Sequence, residues 1–280
     1  MIEKKEVVRS SQNKQISLCR GLSNKKIREE NRLFRFDGVK LMCEAIRKGA
    51  ELENILVREG SEDAIFEKSE SLYGIRAQDI SCKVTTVCTE IFDKLTEEMA
   101  PEGVICIAKY LDNVRNIEDA SSITCPDGEK ILLLESVRDP QNVGAIIRVA
   151  AAFSVDRIIM SRDCADIYNS KTIRASMGTV FSMRIDRVDS MSDAVRALSD
   201  AGRRVFAAAL DRDSLRLGDF EISLGDCVVI GNEGHGLSEE TKQACYKTVF
   251  IPMAENVESL NAATAAAVLV WEFFGTGIKG

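Results

Sequence analysis

Two hydrophobic periods alternate along the chain. Val39, Leu41, Met42, Ala45 and Ile46 recur at helical spacing, and Gly49 stops that run. Short apolar runs follow at NILV (54–57), CKVTTV (82–87) and GVICIAKY (103–110), with helical stretches between them. That alternation predicts a small α/β unit with a partly parallel sheet. Upstream, SNKKIREENRLFR (23–35) is strongly charged and predicts an exposed helix. From Asp112 to Lys130 the chain is polar and carries Pro126-Asp127-Gly128, a turn signal. The expected organisation is therefore a first domain over 1–112, a linker over 113–129 and a second domain over 130–280. Beyond the linker, ILLLE (131–135), RIIM (157–160), VFSMRI (180–185), RVFAAAL (204–210), DCVVIG (226–231) and TVFIP (248–252) read as buried strands. Helical segments separate nearly all of them, which predicts a mostly parallel sheet covered on both faces.

Composition narrows this picture. A chain of 280 residues, 45% hydrophobic and 29% charged, predicts a soluble globular protein of two domains. No stretch approaches the ~18 uncharged apolar residues of a membrane span. The start, MIEKKEVVRSSQNKQ, lacks an apolar signal segment, and the nine cysteines are an odd set without a CxxC. Both point to a cytoplasmic protein with reduced thiols, most of them small core residues. The single histidine, His235, removes mechanisms that need two imidazoles, and no metal site is expected. A net charge of −7 argues against a nucleic-acid partner, but its distribution argues otherwise. Residues 1–48 hold 13 Lys+Arg against 6 Asp+Glu, a net of +7, so the remainder carries −14. The expectation is a basic N-terminal arm on an acidic body.

Three stretches carry candidate chemistry. NVGAIIRVAAAF (142–153) predicts a largely buried helix with Asn142 at its start and Arg148 inside it. Arg148 either snorkels out or pairs with a carboxylate, or it is held rigidly to meet a phosphate or a developing oxyanion. VVIGNEGHGLS (228–238) takes a strand through a glycine-rich turn into a helix that Ser238 can cap. Gly231, Gly234 and Gly236 form GxxGxG, which is not the GxGxxG of a dinucleotide fold, and no GxxxxGK[ST] occurs. The turn is either merely tight or built for close backbone approach to a flat ligand. Glu233 is placed to orient a ligand or pair with Arg148, and His235 is expected to be exposed rather than catalytic. IPMAENVESLNAATAAAVLVWEFF (251–274) leads from a strand end into a helix, with Ser259 and Asn261 near its start. The alanines from Ala262 to Ala267 predict close helix packing in a dimer.

NVGAIIR, GNEGHGLS and IPMAENVESLN, in that order, resemble the three motifs of the SpoU (TrmH) family of RNA ribose 2′-O-methyltransferases, of the SPOUT or α/β-knot class. SVDRIIMSRDCADIYNSKTIRASMGTVF is similar to the family's stretch between its first two motifs. LFRFDGVKLMCEAIRKG and APEGVICIAKY resemble a small RNA-substrate-binding α/β domain, itself similar to a kink-turn-binding ribosomal protein. The resemblance implies a parallel sheet whose last segment threads a deep trefoil knot. It implies bound S-adenosyl-L-methionine, with Gly231, Ile251 and Leu260 in contact and Met253, Ser259 and Asn261 beside it. It assigns the central catalytic role to Arg148, with Asn142, Glu233, Ser259 and Asn261 supporting it. It further implies a homodimer packed through the knot region, each active site drawing on both chains, and an RNA substrate, ribosomal in preference to transfer RNA. Glu255 stands where the family usually has Gly and is expected to narrow or repel in the cofactor loop. Ala262-Ala263-Thr264 replaces a Val-rich run, and Phe36-Asp37 a Val-Glu pair. The alternatives are a transfer-RNA enzyme, a base methyltransferase and a catalytically idle knotted RNA-binding protein. A Rossmann-type enzyme is disfavoured, because no glycine-rich turn follows ILLLE.

Overall fold

The charged stretch that predicts one exposed helix proves to be a helix and a strand. The structure, a computed structural model, describes residues 6–254, 256 and 259–275. α1 (Lys14–Gly21) and α2 (Lys25–Asn31) are capped by Asn13 and Asn24, whose side chains accept from Gln15 N and Lys26 N. Arg32, in the left-handed region at φ 55°, ends α2 and releases the chain into β1 (Leu33–Asp37). α3 (Val39–Arg47), β2 (Leu52–Arg58), α4 (Glu62–Tyr73), β3 (Lys83–Val87), α5 (Thr89–Leu95) and β4 (Val104–Lys109) follow. The sheet order is β1-β4-β2-β3, antiparallel except for the β2/β3 pair.

Residues 6–48 are therefore not an arm, and residues 1–5 lie outside the described residues. Ile16, Cys19 and Leu22 of the α1 region pack with Leu56, Phe92, Leu95 and Ile105 in one apolar cluster. Two of the counted cations are internal: Arg28 and Arg35 are each 4% exposed. Arg28 donates to the carbonyls of Leu22 and Ser23 at 2.8 and 2.9 Å, and Arg35 to Leu95 O at 2.7 Å and Glu97 at 2.9 Å. Burying a guanidinium is tolerable only with such partners. The cations left exposed include Lys14, Arg20, Lys25, Lys26 and Arg32.

The chain divides into two compact units, Met1–Leu111 with Tyr168–Phe181, and Asp112–Ile167 with Ser182–Gly280. In the second, residues 113–129 contribute structure where a linker is expected: β5 (Val114–Ile117) is an edge strand. Then come β6 (Ile131–Leu134), α6 (Pro140–Ala152) and β7 (Arg157–Ser161). α7 (Ser170–Ser176) belongs to the first unit. The second resumes with β8 (Arg184–Val188), α8 (Met191–Asp200), β9 (Val205–Ala208), β10 (Leu215–Arg216), β11 (Cys227–Ile230), α9 (Glu239–Ala244), β12 (Lys247–Phe250) and α10 (Ala262–Phe274). All eight strands pair in parallel, in the order β10-β12-β9-β11-β6-β7-β8-β5. β6, β7 and β11 are buried along their whole length, as a parallel sheet covered on both faces requires.

The run VFSMRI is split rather than one strand. Val180 and Phe181 lie in a 3-10 turn of the first unit, where Phe181 packs on Phe36 at 5.2 Å between ring centroids. None of the nine cysteines is in a disulfide and six are buried; desolvation pushes the Cys227 and Cys245 thiols up to about 12. Ala262 and Ala266 are buried, and α10 packs on α6 and β11 of its own chain, so the close packing expected of the alanines is intrachain at these positions. Among the described residues, no helix is long and apolar enough to cross a membrane.

Candidate active site

At the carboxyl end of β11 the chain makes a loop that only certain residues allow. A Cβ on Gly231 would meet the Gly236 carbonyl carbon at 2.5 Å, so the two ends of the loop touch as backbones. Gly236, at φ +68°, completes the return. Asn232 and Gly236 exchange both backbone hydrogen bonds at 3.0 Å. The Asn232 side chain fills the loop: its Oδ1 accepts from the N–H groups of Gly234 (2.8 Å) and His235 (3.1 Å), and its Nδ2 donates to Ser136 O at 2.8 Å. Ser238 then caps α9 by accepting from Thr241 N.

The other two motifs reach this loop through amides. Asp139 caps α6 with Pro140 at its first turn, and this places Asn142, 8% exposed, beside Glu233. Asn142 Nδ2 donates to Glu233 Oε1 at 2.5 Å, and Asn142 Oδ1 accepts from Asn261 Nδ2 at 2.9 Å. The direction is fixed by chemistry. Asn261 caps α10, so its Oδ1 must accept from Ala263 N and Thr264 N, which leaves only its NH₂ to offer Asn142. Asn142 must then present oxygen to Asn261 and its own NH₂ to Glu233, which accepts as a carboxylate. One residue from each motif is thus joined in a single polar chain.

Beside it lies a cavity of about 270 Å³, near the lower end of the ~300–1,000 Å³ usual for small-molecule sites. Gly231, Glu233, Ile251, Met253, Ser259 and Leu260 all line it, with apolar walls from Ile230, Val249 and Leu269. Asn142 and Asn261 are not in its wall but are tied to Glu233, which is. An apolar slot with a carboxylate and loop backbone at its mouth fits a flat heterocycle with a polar tail.

Arg148 stands apart. It is exposed on α6 while Ile146, Ile147 and Ala150 turn inward, so α6 is one-sided rather than largely buried, and Arg148 does not line the cavity. Glu233 pairs with Asn142, not with Arg148. His235 is exposed, as expected. Glu255 lies outside the described residues.

Two further residues hold the site: Glu135, outside the three motifs, and Asn232, inside the second but without a role assigned by the resemblance. Glu135 directly follows β6, is 8% exposed, and accepts from Ser238 and Thr241; Asn232 organises the loop. The turn between β6 and α6 is braced in turn by Asp163, which accepts from Ser136 Oγ and Ser161 Oγ at 2.6 Å each and from Arg138 at 3.2 Å. Burial pushes the Asp163 carboxyl up, but those hydrogen bonds and the Arg138 charge outweigh it and hold it below the usual carboxylate range. The only sequence signal for Glu135 is a carboxylate set directly after four buried aliphatic residues.

Comparison with known proteins places this geometry. Residues 129–271 match the SpoU rRNA Methylase family, and residues 13–106 match the MRM3-like substrate binding domain. The 23S rRNA (guanosine(2553)-2′-O)-methyltransferase of Bacillus subtilis is 26% identical, covering 96% of this chain and 99% of its own. The 23S rRNA (uridine(2479)-2′-O)-methyltransferase of Streptomyces viridochromogenes is 30% identical over 92% of this chain and 88% of its own. The crystal structure of an AdoMet-bound rRNA methyltransferase from Sinorhizobium meliloti superposes with a TM-score of 0.81 at 27% identity, covering 98% of this chain and 99% of that one.

Proposed function

The chain belongs to the SpoU rRNA Methylase family, and from that premise we propose that it methylates a ribose 2′-hydroxyl of ribosomal RNA with S-adenosyl-L-methionine as donor. The observation that carries this reading is the junction of Asn142, Glu233 and Asn261 beside the cavity lined by Gly231, Ile251, Met253, Ser259 and Leu260. The residues present fit the donor. The apolar walls suit an adenine, and the loop from Gly231 to Gly236 allows backbone approach without a Cβ in the way. When bound, S-adenosyl-L-methionine supplies a methyl group already activated on a sulfonium. The protein's task is then alignment of the hydroxyl and removal of its proton.

Asn142 and Asn261 hold the Glu233 carboxylate at the cavity mouth, where it can orient the hydroxyl or take its proton. Arg148 does not act as a base, since a guanidinium keeps its proton above pH ~12. It binds a neighbouring phosphate and stabilises the developing alkoxide. Its exposure leaves it open to an RNA backbone arriving from outside. Ribosomal RNA is favoured because relatives named for 23S rRNA align along nearly the whole chain. The unit of residues 1–111 with 168–181 forms the substrate-binding region, and the unit of 112–167 with 182–280 the catalytic region. The finer features belong to the same proposal: a knotted last segment, a cytoplasmic homodimer, and Arg148 serving a site shared between chains.

The test is nucleoside mass analysis of ribosomal RNA incubated with the protein and S-adenosyl-L-methionine. One added 2′-O-methyl nucleoside is the expected result. A methylated base, or methylation confined to transfer RNA, would replace this reading, and no binding of the donor in calorimetry would leave an idle RNA-binding protein.

A further inference from the structure

The loop that walls the cavity is fastened at both ends to one short stretch of chain. At its entry, Asn232 Nδ2 holds Ser136 O; at its exit, Glu135 holds Ser238 and Thr241. Glu135 is the stronger tie. Its Oε2 accepts from Ser238 N at 2.9 Å, and its Oε1 from Ser238 Oγ at 2.9 Å and Thr241 Oγ1 at 2.7 Å. Its own backbone N–H is bound to Ile230 O, the last residue before the loop. Glu135 thus spans the loop, from the strand that enters it to the helix that leaves it. Neither Glu135 nor Thr241 lines the cavity, and Thr241 is fully buried.

We propose that Glu135 is a positioning residue for the donor, setting the loop from Gly231 to Leu237 against the cavity by gripping the first turn of α9. The proposal rests on the methyl-donor reading above. A buried carboxylate with three donors is hard to satisfy otherwise, so losing one donor or the charge releases the exit of the loop rather than merely one bond. Gly231, Glu233 and Gly236 then lose their fixed place relative to Ile251 and Leu260, which line the same cavity.

The experiment measures S-adenosyl-L-methionine affinity by calorimetry, with thermal unfolding and the KM for ribosomal RNA, in wild type, Glu135→Gln, Thr241→Val and the double variant. Thr241→Val keeps the side-chain shape and the Ser238 cap on Thr241 N, so it remains informative if Glu135→Gln fails to fold. Each single variant is expected to weaken donor binding about tenfold, the scale of one charge-assisted hydrogen bond. The KM for RNA should stay within twofold. The double variant should be no weaker than the worse single one, because both changes act on the same grip. Folded variants with wild-type donor affinity, or a loss of melting temperature without a change in affinity, would overturn the proposal. Failure of the wild-type protein to bind the donor would instead overturn the reading it rests on.

Discussion

Two arginines in apolar segments of the same unit meet opposite fates. Arg157 opens the strand RIIMS and is fully buried. It donates to Glu129 Oε2 at 2.6 Å, Asp186 Oδ2 at 3.1 Å and Thr124 O at 2.7 Å, while Arg184 and Arg115 hold the outer sides of the same carboxylates. Arg148 sits in the equally apolar helix NVGAIIRVAAAF and is exposed. A strand covered on both faces has no outward side, so its charge must be matched inside the protein. A helix has an outward side, and its charge can be held rigidly while remaining available. Sequence context marks Arg148 as the unusual cation, yet Arg157 is the one the fold must accommodate.

The largest effects should come from exchanging these roles. Arg157→Ala leaves Glu129 and Asp186 buried with weakened pairing and should cost about 3–5 kcal/mol, read from urea unfolding. Arg148→Ala should change stability by no more than about 0.5 kcal/mol, as at an exposed site, yet lower methyl transfer at least ~100-fold. Near-normal transfer by Arg148→Ala would remove it from the mechanism. A stable Arg157→Ala protein would show that Arg115 and Arg184 suffice for the network.

The amide chain is the next place to press. Asn142→Ala cuts the links to Glu233 and Asn261 together and should lower kcat/KM about 10²-fold with little change in melting temperature. Asn142→Asp is more revealing, because it sets a second carboxyl 2.5 Å from Glu233 Oε1. Two carboxylates so close share a proton, so the pH profile of activity should move away from that of the wild type. An unchanged pH profile would mean that Glu233 has turned away from residue 142.

How much of this is legible in the sequence depends on the range of the interactions. The central strands β6, β7 and β11 of the parallel sheet stand out as apolar runs, because burial on both faces leaves little room for polar alternation. β1 does not: LFRFD carries Arg35 and Asp37 inside charged surroundings, and Arg35 is buried because Cys19 O, sixteen residues away, and Leu95 O and Glu97, some sixty residues away, accept from it. The cavity-lining residues are legible through family resemblance. Glu135 is not, since Ser238 and Thr241 lie 103 and 106 residues away and no local pattern marks hydrogen bonds of that range; Asn232 lies within GNEGHGLS, but its bond to Ser136 O, 96 residues away, is equally unmarked.

The first unit offers the same contrast among its cations, at a smaller scale. Deleting the first 33 residues would not strip a basic arm from a folded domain; it would remove Ile16, Cys19 and Leu22 from the core and unfold the unit. The informative change is Lys25→Glu with Lys26→Glu, on an exposed surface where each lysine has only a loose 3.8 Å pair with Glu29 or Glu30. RNA affinity should fall several-fold, with donor affinity unchanged. The salt slope should become shallower by about 1 for each phosphate no longer neutralised. An unaltered slope would place the RNA-binding cations elsewhere.

The smallest expected effect tests the brace under the active site. Hydrogen bonds and Arg138 hold the Asp163 carboxyl below its ordinary range, so the folded state prefers it ionised. Its contribution to stability is therefore fully present above the unfolded value near ~3.9 and is lost as pH falls through the lower folded value. Asp163 is half exposed, so the loss should be under ~1 kcal/mol. Asp163→Asn should lower neutral stability by no more than that amount and flatten the acid limb of the stability curve to match. Because Ser136 connects Asp163 to Asn232, the variant should also loosen the loop entry and weaken donor binding by about twofold. A flattened acid limb with unchanged donor binding would confine the brace to stability and leave Glu135 alone in setting the loop.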